Sequence, residues 1–88
     1  MNIKLTDQQE QVLRAIADWK LVHEPDHHDI AMACGRAYSA SDWAHAKLRK
    51  LSDLRLIEEV GRKKNSGART WRVSDLGRAL LQAMDEPC

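Results

Sequence analysis

Cysteine is scarce in this chain: there are two, Cys34 inside a helical pattern and Cys88 at the last position. Two residues so placed build no disulfide framework, and a reducing compartment is the simpler reading. Long apolar runs are missing too, with nothing near the ~20 residues needed to span a bilayer. The first residues show no basic, then apolar, then small-residue leader pattern. A soluble, cytoplasmic chain is therefore expected, with no membrane partner. Catalytic motifs are also absent. There is no phosphate-cradling glycine loop, no nucleophile elbow and no His-Glu-x-x-His helix. The histidines have no partnered nucleophile, so neither an enzyme nor a cofactor is expected. No low-complexity tract suggests disorder, and 88 residues suffice for one small domain over 1–88.

Net charge is nearly absent as well, at +1, which taken alone argues against a strong nucleic-acid binder. Its distribution says more. Residues 1–35 hold three basic and six acidic side chains, residues 36–72 ten basic and four acidic, and residues 73–88 one basic and three acidic. The excess positive charge is confined to the middle of the chain.

Thr6 followed three residues later by Gln9 is a capping-box signature. It predicts a helix from about Asp7, with Val12, Leu13, Ile16 and Ala17 on its core face. Trp19 lies off the centre of that stripe, placed either to cover the rim of the core or to anchor a dimer contact. His23-Glu-Pro-Asp-His-His-Asp29 breaks the pattern, and Asp26 is suited to cap the next helix. His23, His27, His28, Asp26 and Asp29, with Cys34 beyond them, raise the question of a metal. Their spacing matches no structural zinc pattern, and adjacent histidines on a helix diverge. A solvated, acid-rich helix start without metal is the expectation. A short second helix from Asp29 to Gly35 should bury Ile30 and either Ala33 or Cys34, ending at the glycine.

A third helix should start near Ser41, capped by Ser39 or by Ser41 itself. Ala44, Leu48, Leu51 and Leu54 form its buried stripe. Asp42, His45, Arg49 and Ser52 fall opposite, with Lys47 and Lys50 on the flanks. Arg49 has the fork that matches guanine O6 and N7, and the two lysines suit phosphates. Trp43 and Asp42 sit awkwardly there. Trp43 either packs sideways toward Tyr38 or is exposed to a protein partner. Leu56 to Val60 reads as a strand and Thr70 to Val73 as its antiparallel partner. Between them Arg62, Lys63, Lys64 and Arg69 cluster around Asn65-Ser-Gly67, which carries hairpin-turn chemistry. Ser74 is placed to cap a closing helix over about 75–84. Leu76, Leu80, Leu81 and Met84 give that helix apolar surface for the core and, in part, for a second subunit.

The phrase Leu51-Ser-Asp-Leu-Arg-Leu-Ile-Glu58, followed by a basic turn and Thr70-Trp-Arg-Val-Ser-Asp-Leu-Gly77, resembles the winged helix-turn-helix domains of bacterial MarR-like repressors. The resemblance runs from the Thr6 helix to Leu81. It implies a mainly α fold with a small β-hairpin wing at about 57–73: a three-helix core plus a C-terminal helix. One departure is Arg55, where the family has glycine, so a left-handed arginine is expected. The resemblance also implies double-stranded DNA as partner, with the third helix in the major groove and the wing on backbone or minor groove. The residues expected to carry it are Ser41, Asp42, Trp43, His45, Lys47, Arg49, Lys50, Arg62, Lys63, Lys64, Asn65 and Arg69. A transcriptional regulator, dimeric through Trp19 or the Leu80/Leu81/Met84 surface, is the leading reading. A protein-interaction module using Trp43 and the wing is its rival.

Overall fold

The structure is a computed structural model describing residues 3–20, 23–64 and 67–85, without the side chains of Tyr38 and Ser41. In order, the chain forms α1 (Asp7–Ala17), α2 (His27–Ala33), a 3-10 turn (Tyr38–Ala40), α3 (Ser41–Asp53), β1 (Ile57–Arg62), β2 (Arg69–Val73) and α4 (Asp75–Asp85). It is mainly helical, with one two-stranded antiparallel hairpin.

Each helix boundary has a local chemical cause. Thr6 Oγ1 accepts from Gln9 N at 3.2 Å while Gln9 Oε1 accepts from Thr6 N at 3.0 Å, so the expected capping box is present. Asp26 and Asp29 form a second box, with Asp29 N donating to Asp26 Oδ1 at 2.8 Å and Asp26 N to Asp29 Oδ2 at 3.2 Å. That box starts α2 at His27, two residues before the predicted Asp29. Gly35, at φ 75°, lets Arg36 N reach back to Ala31 O at 2.9 Å and closes α2.

The start of α3 departs from expectation. Ala40 is its N-cap and no side chain caps it. The chain enters α3 from the 3-10 turn, which leaves Ser39 one residue too early to cap. The end of α3 meets expectation. Arg55 is left-handed at φ 63°, and Leu56 N bonds Leu51 O at 3.0 Å. An L-residue in that region costs ~1–2 kcal/mol. Arg55→Gly is expected to leave stability unchanged or raise it by up to about 1 kcal/mol, since glycine's looser unfolded chain offsets part of the relief. Urea unfolding would check the sign, and a clear loss would contradict the strain.

The core is one cluster of side chains from α1, α2, α3, α4 and the hairpin: Val12, Leu13, Ile16, Ile30, Leu48, Leu51, Leu56, Ile57, Trp71, Val73, Leu80 and Leu81. Leu54 is only partly buried, because it falls at the helix end. In the hairpin Ile57 pairs with Val73 and Arg62 with Arg69, and the register slips between Glu59 and Gly61. The slip leaves Val60 as a bulge that bends the strand. On its other edge β2 takes one more bond, Trp71 N to Pro25 O at 3.0 Å. The segment before α2 is thereby docked against the hairpin.

α4 is tied to the α3–β1 turn through Ser74. Its Oγ donates to Arg55 O at 2.6 Å and accepts from Gly77 N at 3.1 Å, so the expected cap forms. Leu80 and Leu81 are buried, whereas Leu76 and Met84 are 37% and 38% exposed. Of the apolar surface considered for a dimer, Leu80 and Leu81 are therefore spent on the core. Trp19 is half-buried and donates Nε1–H to His23 O at 2.6 Å. At the far end Arg14 forms a two-pronged pair with Asp85, at 2.8 and 3.2 Å, linking α1 to α4. Among the described residues no helix is long and apolar enough to cross a membrane.

Candidate functional site

α3 buries Ala44, Leu48 and Leu51 and turns Asp42, His45, Arg49 and Lys50 to solvent, with Lys47 half-buried beside them. Helical spacing dictates this division. Next to it, α3 and β2 enclose a groove of about 330 Å³ lined by His45, Arg49, Ser52, Asp53, Arg69 and Trp71. Two expected site residues on α3 and one on the hairpin thus share a concavity. Lys47, Arg49 and Lys50 have no ion-pair partner among the described residues.

The hairpin cations fare differently. Glu59 lies 3.7 Å from Arg62 Nε and 3.6 Å from Arg69 Nε, and Glu58 pairs with Arg72 at 3.1 Å. A hairpin that reads as four uncompensated charges along the sequence therefore carries a carboxylate between two of them. Lys63 departs furthest from a phosphate-reaching role. Its Nζ is 2.7 Å from Asp29 Oδ2 and 3.2 Å from Asp26 Oδ2, so it clamps the hairpin to the start of α2. Lys64 is exposed and has no ion-pair partner among the described residues. Asn65 falls outside the described residues.

The clamp is electrostatically tuned. Asp26 is 4% exposed. Burial pushes its carboxyl up, but the Asp29 backbone N–H and the Lys63 ammonium outweigh that, and its pKa lies below the usual value. The hydrogen bond to Asp29, working against burial and helped by Asp26, holds the Lys63 ammonium above the ordinary lysine value.

Trp43 is half-buried and packs against the core. Its Nε1–H donates to Gln8 Oε1 at 3.2 Å, and the Arg36 guanidinium lies 4.3 Å from its ring centre. The expected contact with Tyr38, and any role of the Ser41 hydroxyl, fall on side chains outside those described. Arg36, placed beside α3 by this stacking, is a cation that the sequence reading leaves out of the site. The 3-10 turn separates it from Trp43, so no helical spacing relates the two; only the folded chain brings the guanidinium to α3.

The histidines gather next to this face. The His27 and His28 rings are 4.2 Å apart, and His45 of α3 lies 6.1 Å from His27. Among the described residues no group of three or more histidine, cysteine, aspartate or glutamate side chains is arranged to hold a metal ion. Burial, then the neighbouring His28, pulls His27 below the ordinary histidine value. Its neutral form is thereby favoured in the fold. Its share of stability is intact above the unfolded pKa and declines as pH falls through that value toward the folded one. Burial pushes the half-buried Cys34 thiol up, so it is poorly suited to act as a nucleophile.

Comparison with models of known protein families, with curated proteins and with solved structures finds no match to this chain.

Proposed function

We propose that this protein is a winged helix-turn-helix module that binds double-stranded DNA, laying α3 in the major groove and the β1–β2 hairpin, as the wing, along flanking backbone or minor groove. The observation that supports it best is the groove in which His45 and Arg49 of α3 face Arg69 of β2. A helix and a ribbon that flank one concavity are placed to grip a convex, negatively charged rod. Transcriptional regulation is the role such a module would serve.

In this reading Arg49 reads a base edge, while Lys47, Lys50, Lys64 and Arg69 meet phosphates. Four such contacts correspond to a slope of log K against log salt of roughly −3.6. Selection from a random duplex pool, followed by mobility shifts at several salt concentrations, tests it. Arg49→Ala should relax base preference, and Lys64→Ala should flatten the slope by ~1 unit on every duplex. Salt-independent binding, or none, would count against the proposal. The neutralised hairpin favours one rival, a protein-docking module, for which the pool would yield no enriched site.

A further inference from the structure

Resting on that DNA-binding reading, we propose that the histidine patch formed by His27 and His28 of α2 with His45 of α3 is an acid-strengthened phosphate contact, so that the protein takes up protons when it engages a duplex and binds more tightly as pH falls. Imidazoles are the side chains that change charge between about pH 5 and 8. Three of them are gathered here, with His27 centred 4.2 Å from His28 and 6.1 Å from His45. His45 stands on the outward face of α3 and lines the same groove as Arg49 and Arg69. Neutral, the patch is a weak partner for a polyanion. Protonated, it extends the cationic face of α3 onto α2.

The surrounding charges set how readily the patch protonates. From the start of α2, Asp26 is already engaged by the Asp29 backbone N–H and by Lys63. Asp29 is engaged by Lys63 and by the Asp26 N–H, with His23 Nε2 3.8 Å away. From α3 come Asp42, which like Asp26 favours a charged His27, and His45, which opposes it. Arg49 and Arg69 line the groove beside His45. From the hairpin comes Lys63, and from the α2–α3 link Arg36, held over Trp43. α1 reaches α2 with the uncharged Gln11, at the far end by Cys34. The balance at His27 already falls on the neutral side, because burial and the neighbouring rings outweigh both carboxylates. In the free protein His28 and His45 both oppose a charge on His27. Duplex phosphates laid along α3 add negative charge, and by linkage the rings gain protons as the complex forms.

The experiment measures the dissociation constant of the full chain for a fluorescent random-sequence duplex of about two helical turns, at one fixed low ionic strength across the histidine range. It compares the wild type with His45→Gln alone and with His27→Gln/His28→Gln/His45→Gln. Circular dichroism at each pH confirms that the variants are folded, and His45→Gln, altering an exposed side chain, keeps the test open if the triple variant is not. Wild-type affinity should rise roughly tenfold from about pH 7.5 to about pH 5.5, and in the variants the ratio of affinities at those two pH values should fall most of the way to one, whatever their affinity at the alkaline end. Calorimetry in buffers of different ionisation enthalpy should show net proton uptake by the wild type and less by the variants. Equal pH dependence in wild type and variants, or a flat wild-type profile, overturns the proton linkage and leaves the DNA reading standing. No binding at any pH overturns both.

Discussion

Gly77→Ala is expected to cost roughly 3 kcal/mol and to lower the melting temperature by roughly 15 °C, although alanine is the better helix former by about 1 kcal/mol. Gly77 lies in the first turn of α4, where that helix crosses the start of β1. A Cβ there would overlap the Leu56 carbonyl and sit 2.7 Å from Val73 Cγ1. Neither neighbour has room to yield. Leu56 O accepts from Ser74 N at 3.0 Å, Leu56 N is bonded to Leu51 O, and the preceding Arg55 is held left-handed with its carbonyl on Ser74 Oγ. Accommodating one methyl group therefore means lifting α4 or breaking the turn that joins α3 to the hairpin. Thermal melts of Gly77→Ala beside Gly61→Ala check this, because a Cβ at Gly61 meets only Thr70 Oγ1 at 3.6 Å. Similar melting of the two variants would show that α4 does not make this crossing. Because the same turn orients α3 against the hairpin, the damage should reach the proposed DNA face as well.

Features that depend on near neighbours were legible along the chain. The Thr6 and Ser74 caps, the glycine end of α2 and the Leu48/Leu51 stripe are each set by residues within a turn or two of one another, and each is present; the left-handed Arg55 was expected from the family resemblance, not from its neighbours. α2 starts early because the Asp26–Asp29 box is stronger than the apolar spacing that points to a later start. The site was legible in part: spacing alone places Asp42, His45 and Arg49 outward, as they are, while Lys50, expected on the flank, is exposed as well. Its electrostatics were not. Lys63 meets Asp29 across 34 positions and Trp43 meets Gln8 across 35, and no local pattern encodes such pairings. Glu59 is visible in the sequence as a strand residue. Only the bulged register brings it beside both Arg62 and Arg69. The consequence is functional: the uncompensated positive charge of the proposed interface lies more on α3 than on the hairpin.

The clamp on Lys63 leads to the other large effect, because two adjacent lysines should behave as different kinds of residue. Asp26→Ala removes the α2 cap and one of the two carboxylates holding Lys63, in a site only 4% exposed. The expected loss is roughly 2–3 kcal/mol, with melting lowered by roughly 10–20 °C. The acid side of the stability profile should change with it. Asp26 has a lowered pKa in the fold, so its contribution is complete above the ordinary aspartate value and is lost as pH falls through the folded one. The variant should lack that part of the acid-induced loss. Lys63, raised in the fold, keeps its contribution below the ordinary lysine value and loses it only as pH climbs through the folded one. Around neutrality the clamp is at full strength. Lys63→Ala should therefore lower melting and weaken duplex binding at every salt concentration by letting the hairpin drift from α2. Lys64→Ala should leave melting unchanged and reduce only the salt slope. If Lys63→Ala instead melts like the wild type and flattens the slope as Lys64→Ala does, then Lys63 reaches phosphate and Asp26 and Asp29 do not hold the hairpin.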